Sequence, residues 1–313
     1  MDTKYTQMCD ARQGEKMAVN EPKNKKLADV YYNDVMNGGK VDRIADIIQD
    51  DFIFTIPTHP EVFRGPEGFR KEVSGLHGAF PDVHLDVHHL WCFDDLILGL
   101  WTGTGTHIGA EPLSTPAGPV PATGRPFVIQ GVSWIRADGV LLRENLANED
   151  TLRIVHSLGL ADFSAVYRNA DASLVRPLQM PVRSSIGMTG HALMADTIRF
   201  DHPLLSAQAV GSAQTTAFLD SYWSAFDQVE FRITQARRGA DVNAYRWEFT
   251  ATHTGDFFGV PASGNRIHHQ GVTVSVLNSA GKVTSTYVNE NLIVLMGQIA
   301  PQPSNSKGKS KND

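Results

Sequence analysis

The sequence predicts an α+β protein that contains two tandem copies of one strand-rich unit. Helical periodicity comes first along the chain, long strand-like runs follow, and a set of residues recurs in order in the second half. Helices followed by a run of strands are typical of α+β folds and not of a doubly wound parallel sheet. No GxGxxG or GxxxxGKS/T pattern opens a helix after a strand, so nothing indicates a nucleotide-binding fold.

The elements of the first half follow from hydrophobic spacing. Leu27, Val30, Tyr31 and Val35 recur at helical spacing, and the glycines at 38–39 end that helix. The other predicted elements are a short helix at 41–48, a strand at 52–56, a helix at 65–80, strands at 83–93, 96–108, 127–135 and 140–146, and a helical turn at 152–158.

An internal repeat covers the strand-rich part of this unit. At an offset of 146 residues, Ala79, Phe80, Trp101 and His107 match Ala225, Phe226, Trp247 and His253. Further on the offset becomes 140, and Gly131 matches Gly271. Matches in the same order with one change of loop length indicate duplication of a whole unit.

The repeat and the composition together predict the domain organisation. We expect a polar lead at 1–24, a first domain at 25–160, a second domain at 205–300 and a disordered tail at 301–313. The segment 161–204 is either a linker or a rebuilt front of the second copy.

Composition excludes several classes of function. The 313 residues are 42% hydrophobic and 20% charged, which suffices for buried cores. A net charge of −6 argues against a nucleic-acid partner and against an anionic membrane surface. The N-terminus has no apolar signal region, and no stretch of about 18 apolar residues occurs. We therefore expect a cytoplasmic protein.

Strand alternation predicts a ligand pocket. His89 and Trp91 share one strand face with Val83, and Trp101 shares a face of the next strand with small residues and His107. The candidate lining residues are His89, Trp91, Trp101, Phe127, Ser133 and, in the second copy, Trp247. Aromatic and small residues with a polar group at the end suit a pocket floor. The alternative is that the tryptophans are core and that His107 and His253 are hydrogen-bonded structural residues.

Carboxylates and histidines are the candidate acid/base groups. No GxSxG elbow supplies a nucleophilic serine, and the twelve histidines show no metal-binding spacing, so we expect neither metal nor cofactor. The candidates are His107, Glu144 and Asp150 in the first copy and His253 in the second, with Glu290 also present. An apolar cavity raises the pKa of a carboxyl group by desolvation. A solvated strand-edge role for Glu144 stays open.

Several short motifs resemble one known family. They are the Ala79-Phe80-Pro81-Asp82-Val83 stretch, the Gly105-to-Gly109 stretch, Pro121-to-Arg125, and Thr252-to-Gly255 with Phe258-to-Pro261 in the second copy. They resemble the SnoaL-like polyketide cyclase (ester cyclase) family of the nuclear transport factor two-like superfamily. The resemblance implies two tandem cone-shaped α+β barrel units, each a bent antiparallel sheet wrapped around helices. It also implies that the two copies pair as a pseudo-dimer.

The resemblance implies a chemistry as well, with one departure. Cyclases of this family close a ring by an aldol step that uses an aspartate, without metal or cofactor. The matching stretches here read Leu146-Ala147 and Val288-Asn289, with no aspartate. The leading hypothesis is a cofactor-independent cyclase or isomerase that moves protons on an apolar carbonyl-bearing small molecule, with His107 and Glu144 as acid and base. A non-catalytic binding or assembly protein is the alternative, and a hydrolase or dehydratase is third.

Overall fold

A computed structural model describes residues 20–57, 59, 61–115, 118–171 and 194–300 of the chain. Residues 1–19 of the predicted polar lead, residues 172–193 of the segment between the copies, and the predicted tail at 301–313 lie outside the described residues.

The first copy opens with helices, as predicted. α1 (Glu21–Asp29) continues as a π-helical stretch (Val30–Asn37) that ends at Gly38, and a 3-10 turn (Val41–Arg43) leads into α2 (Ile44–Ile47). Pro22 stands in the first turn, where its missing N–H costs no helical hydrogen bond. The remaining elements are β1 (Ile48–Thr55), β2 (Phe63–Arg64), α3 (Gly65–Ala79), β3 (His84–Cys92), β4 (Leu96–Thr106), β5 (Pro126–Ala137), β6 (Leu142–Glu149), α4 (Thr151–Ser157) and α5 (Ser164–Ala170).

The second copy repeats this order of strands. Its elements are β7 (Met194–Asp201), β8 (Ala209–Val210), α6 (Ser212–Ser224), β9 (Phe226–Arg238), β10 (Val242–His253), β11 (Arg266–Leu277), β12 (Val283–Glu290) and α7 (Leu292–Ile299). β7 and β8 lie within or just after the segment 161–204, where the sequence shows no clear match to the first copy.

Two six-stranded sheets with helices confirm the α+β prediction. The strand orders are β2-β1-β6-β5-β4-β3 and β8-β7-β12-β11-β10-β9. The resemblance implied wholly antiparallel sheets, and this is wrong for one strand pair in each sheet. β1 runs parallel to β6, and β7 runs parallel to β12. A helix and three long strands separate the partners in sequence, which leaves enough chain to return in the same direction.

A bulge in β3 breaks the predicted alternation. Val87 pairs with Trp101, but His89 pairs with Leu100, so one extra residue enters the strand at position 88. An extra residue exchanges the two faces beyond it. His89 and Trp91 therefore lie on the face of Leu100, opposite Trp101. The prediction that His89 and Trp91 share a strand face with Val83 is wrong.

The chain forms two compact units that do not coincide with the two copies. The first unit takes the residues up to Ala122 together with Val132–Ala147, and the second takes Thr123–Gly131 together with the chain from Asn148 onward. The second unit thus contains α4 and α5. Leu152, Val166 and Ala170 from these helices belong to the same buried cluster as Phe200 and Phe218. Within the described ranges, no helix combines the length and the hydropathy that a membrane span needs.

Candidate functional site

The candidate site is a small buried cavity in the second unit. Its wall comes from one helix and three strand regions: Phe218, Leu219, Tyr222 and Trp223 of α6, Trp247 of β10, Val288 and Glu290 of β12, and His202 directly after β7. The empty volume is about 230 Å³, including space that opens to solvent. The room enclosed inside the wall is only about 10 Å³, roughly that of one water molecule, so the cavity admits no more than the polar end of a ligand.

Local periodicity explains why these side chains meet. Phe218 and Tyr222 are four residues apart and share a helix face. Val288 and Glu290 are two residues apart and share a sheet face. Gly271 pairs directly with Glu290 across β11 and β12, so His269, two residues before Gly271, lies on the same face. The helix face and the sheet face close on one another around the cavity.

Glu290 is the centre of a buried polar group. Its carboxylate is 1% exposed. Oε2 accepts the hydroxyl of Tyr222 at 2.9 Å and lies 2.9 Å from Nε2 of His269. Oε1 lies 2.8 Å from Nε2 of His202. Three groups that can donate a hydrogen bond therefore surround one carboxylate in an otherwise aromatic environment.

The hydrogen bonds of His202 fix its tautomer when the ring is neutral. The backbone N–H of Leu204 donates to Nδ1 of His202 at 3.2 Å, so Nδ1 carries a lone pair. The ring proton is then on Nε2, which faces Glu290. Both nitrogens of His202 are thus occupied, and the ring orients the carboxylate.

The same neighbours set the ionisation of the site. Burial alone would raise the pKa of the Glu290 carboxyl, but the charges and hydrogen bonds of His202 and His269 outweigh it and hold this pKa well below its usual range. Burial, with the adjacent carboxylate, raises the pKa of Tyr222 well above its usual value. Glu290 is consequently an anion and Tyr222 a neutral phenol near neutral pH.

One oxygen of Glu290 keeps an acceptor position. Oε1 lies 2.8 Å from Nε2 of His202, its one close polar neighbour, and a carboxylate oxygen has a second lone pair that no hydrogen bond of the described residues engages. A buried acceptor of this kind costs free energy unless something donates to it. On the cavity wall, this atom is where a ligand would make its strongest polar contact.

Rigid packing holds the aromatic wall. The indole N–H of Trp247 donates to Oγ1 of Thr273 at 3.0 Å, and its ring lies over Gly271, where a Cβ would approach to 2.4 Å. On the other side of the cavity wall, Phe258 stacks on Phe218 with ring centroids 5.5 Å apart. The backbone of Phe258 has a φ of 48°, a strained conformation for a non-glycine residue. Nδ2 of Asn169 donates to its carbonyl at 3.1 Å and holds the turn.

Of the predicted catalytic residues, Asp150 lies in the second unit close to this site. It caps the N-terminus of α4, where its carboxylate accepts the backbone N–H of Arg153 at 3.0 Å and its guanidinium Nε at 2.8 Å. Burial, only partly offset by Arg153, raises the pKa of Asp150 to about 6. Arg153 also donates to the carbonyls of Pro203 and Leu205, which follow His202 in the chain at one and three residues' distance. Asp150 therefore anchors the segment that carries His202.

The other predicted catalytic residues do not line the cavity. His253 is buried at the end of β10, where its Nδ1 accepts the backbone N–H of Ser263 at 3.2 Å and holds the loop back to β11. His107 is buried at the matching place in the first unit and packs on Phe80, with ring centroids 5.1 Å apart. Burial lowers the pKa of both imidazoles. Glu144 is partly exposed on β6, 3.9 Å from Arg136. Catalytic roles for these three stay predictions.

The predicted lining residues are divided between the units. Trp247 lines the cavity. Trp101 donates to Oγ of Ser133 at 3.0 Å, the same bond that Trp247 makes with Thr273, but within the first unit. Phe127 is buried in the second unit. His89 and Trp91 stack on each other at 5.2 Å, with the histidine exposed.

Sequence reasoning missed most of the polar group. Strand alternation places His269 on the same face as Gly271, and Glu290 pairs directly with Gly271 on the neighbouring strand. A search for a carboxylate on the strand opposite a histidine would therefore have found both residues. Tyr222 precedes the matched Ala225-Phe226 pair by three residues, within one helical turn. His202 gave no usable signal, because it lies in the segment that shows no clear match between the copies.

The first copy lacks this constellation. The offsets of 146 and 140 residues place Ile56, Leu76 and Ile129 at the positions of His202, Tyr222 and His269. The last residue of β6, Glu149, corresponds to Glu290, the last residue of β12. One carboxylate is kept, but three apolar side chains replace its three polar neighbours. The two copies are therefore not chemically equivalent.

Metal coordination has no support in the described part of the chain. No three histidine, cysteine, aspartate or glutamate side chains converge there in an arrangement that could hold a metal ion. His202 and His269 each face one oxygen of Glu290.

Comparison with known proteins supports one family. The model of the SnoaL-like domain matches residues 30–144, and the model of the SnoaL-like polyketide cyclase matches residues 189–299. No curated protein matches the chain.

The chain is also similar to several solved structures. A candidate SnoaL-like polyketide cyclase from Jannaschia sp. CCS1 is 15% identical, with a TM-score of 0.41 over 47% of this chain and 99% of that one. TsrD from Streptomyces laurentii is 20% identical, with a TM-score of 0.39 over 46% and 99%. IdmH from Streptomyces antibioticus, a candidate polyketide cyclase, is 23% identical, with a TM-score of 0.36 over 43% and 97%. The chain belongs to the SnoaL-like family, of which it carries two domains in tandem.

Proposed function

We propose that the second copy is a cyclase or isomerase that moves a proton on an apolar, carbonyl-bearing small molecule, with Glu290 as the acid/base group and without a cofactor. The single observation that supports this proposal is the ionised Glu290 carboxylate, which lies on the wall of an aromatic cavity with His202, His269 and Tyr222 directed at its two oxygens. A cyclase or isomerase role fits the SnoaL-like polyketide cyclase family. The substrate and the mechanism are the part we propose.

The roles of the neighbours follow from their hydrogen bonds. Oε1 of Glu290 takes a proton from the substrate and returns it at another atom, so the mass of the substrate does not change. His202, His269 and Tyr222 are positioning residues, because their polar hydrogens are directed at the carboxylate.

The low pKa of Glu290 makes one half of this cycle difficult. A general base works best when its pKa lies near the working pH, and the pKa of Glu290 lies well below it. Uptake of the proton is then the slow half, and its return is fast. The same observation favours a second candidate, a binding protein on the same fold, because a firmly ionised carboxylate is better suited to holding a ligand than to accepting its proton.

Mass spectrometry separates these functions. A metabolite extract of the source organism is incubated with the protein, without it, and with the protein in D2O. The proposed function predicts that one feature is consumed and that a feature of equal mass appears, with about one added deuterium if the returned proton exchanges. Gain or loss of one water would instead indicate a hydrolase or a dehydratase. Retention of an unchanged compound would indicate the binding protein, and the cyclase or isomerase would then be rejected.

A further inference from the structure

The guanidinium group of Arg153, on α4, joins three different partners. Its Nε donates to Oδ2 of Asp150 at 2.8 Å. Its Nη2 donates to the carbonyls of Pro203 and Leu205 at 3.1 and 3.0 Å. The guanidinium carbon lies 5.0 Å from the centre of the Tyr167 ring on α5. Asp150 and Tyr167 thus hold the guanidinium in place against the backbone that follows His202.

Both carbonyls belong to the turn that carries His202. The N–H of Leu204 donates to Nδ1 of His202 at 3.2 Å, and the N–H of Leu205 donates to its backbone carbonyl at 2.9 Å. The imidazole is buried, and its Nε2 lies 2.8 Å from Oε1 of Glu290. Because the ring is bonded to the turn, a shift of the turn would move Nε2 relative to Oε1.

This contact is present in only one of the two copies. The last residue of β6 corresponds to the last residue of β12, so Asn291 and Val294 of α7 stand at the positions of Asp150 and Arg153. An amide and an aliphatic side chain cannot form this ion pair. α4 also lies between the two stretches that the family models match. Resemblance to the family therefore does not account for Arg153.

From these contacts we propose that Arg153 is a positioning residue for the second-copy site, which keeps the Nε2 proton of His202 on Oε1 of Glu290 by fixing the backbone at 203–205. The proposal rests on the proposed function for the importance of Glu290, but its geometry is independent of the reaction. A planar guanidinium presents five N–H donors in fixed directions, so one side chain can bond a carboxylate and two carbonyls. Side chains of a site keep a precise geometry when a surrounding layer of hydrogen bonds holds them.

Loss of these bonds should loosen the turn locally. Asp201, directly before His202, accepts hydrogen bonds from Gln130 at 3.1 Å and from Gln208 at 3.0 Å. The ring of His202 also packs on Phe218, with ring centroids 4.7 Å apart. The start of the turn therefore keeps its own anchors without Arg153, and we expect the contact between Nε2 and Oε1 to open more often in a protein that is still folded.

Exchange of the Nε2 proton with water tests the proposal on the full chain. NMR of protein labelled with 15N-histidine reports the imidazole N–H groups, and His202→Gln identifies the resonance of His202. We expect Arg153→Met to speed this exchange at least about tenfold, the factor that corresponds to losing a hydrogen bond to a charged group. Arg266→Met is the matched control, because Arg266 also donates to a backbone carbonyl of the second unit, that of Gln228 at 3.0 Å. It should leave the exchange unchanged.

Arg153→Lys separates charge from geometry and decides the matter if Arg153→Met does not fold. Lysine keeps a positive charge beside the buried Asp150, but one ammonium group cannot reach Asp150 and both carbonyls, so exchange should still rise at least about threefold. The native exchange rate in either folded variant would overturn the proposal, and so would a native Nε2 proton that exchanges too quickly to be observed. No substrate is present, so failure of the metabolite extract to be converted would reject the reaction and leave this result intact.

Discussion

Gly271 supports the aromatic wall of the candidate site, and its replacement by alanine should disrupt that wall. An added Cβ would lie 2.4 Å from Cζ2 of Trp247 and 2.8 Å from the carbonyl oxygen of Asn289. Ordinary contact begins near 3.4 Å, so the indole would have to move by about 1 Å. It cannot swing freely, because its N–H is held by Thr273 and its ring stacks on Phe231.

The expected cost of Gly271→Ala follows from this overlap. Forcing one extra carbon into a packed core destabilises a protein by about 1–3 kcal/mol. Hydrogen exchange measured by mass spectrometry on peptides from β10 and β11 reports the loss in the second unit specifically. Gly297→Ala in α7 is the matched control, since no atom lies within 4 Å of its added Cβ and alanine favours the helix by up to about 1 kcal/mol. Unchanged exchange in Gly271→Ala would refute the placement of Trp247 over Gly271.

Three further predictions concern charge and hydrogen bonding in the second unit. Glu290→Gln should lower the free energy of unfolding by about 3–5 kcal/mol in urea denaturation, because it breaks a buried ion pair, whereas Glu248→Gln at a partly exposed pair should cost no more than about 1 kcal/mol. Burial raises the pKa of Asp150 to about 6, above the unfolded value of about 3.9. Between these two values the folded state binds more protons than the unfolded state, so the free energy of unfolding falls by up to about 3 kcal/mol as the pH rises from about 4 to about 6. Asp150→Asn should flatten thermal stability between pH 4 and pH 6, and an unchanged slope would show that another group titrates there. Thr273→Val should cost about 1–3 kcal/mol by leaving a buried indole N–H without its acceptor, and a cost near zero would contradict that bond.

The first copy shows what hydrophobic spacing can predict. The helix that begins near Leu27 and ends at Gly38, and the strands from β3 to β6, follow from periods of 3.6 and 2 residues, which are local properties. The parallel pairing of β1 with β6 depends on how distant segments meet, so local spacing does not reveal it. The β3 bulge is equally invisible, and its single extra residue reversed the predicted faces of His89 and Trp91.

The candidate site, too, is predictable from the sequence only in part. Trp247 was predicted from alternation and lines the cavity. The recurrence of His107 and His253 drew attention to the strand ends, but His253 is bonded to Ser263 in the following loop, which is the structural alternative. His202 and Tyr222 reach Glu290 from elements that show no clear repeat, and only the tertiary fold brings them together. The two copies thus agree in the carboxylate, Glu149 or Glu290, and differ in the three side chains at the positions of its polar neighbours.

That asymmetry between the copies makes the central claim directly testable. The most informative measurement is the rate at which the metabolite extract is converted by Glu290→Gln and by Glu149→Gln, side by side with the native protein at equal concentrations of folded protein. The account predicts that Glu290→Gln loses conversion by a factor of at least about 100, the typical effect of removing a general base, and that Glu149→Gln keeps it. Full conversion by Glu290→Gln, or loss confined to Glu149→Gln, would contradict the assignment of the reaction to the second copy.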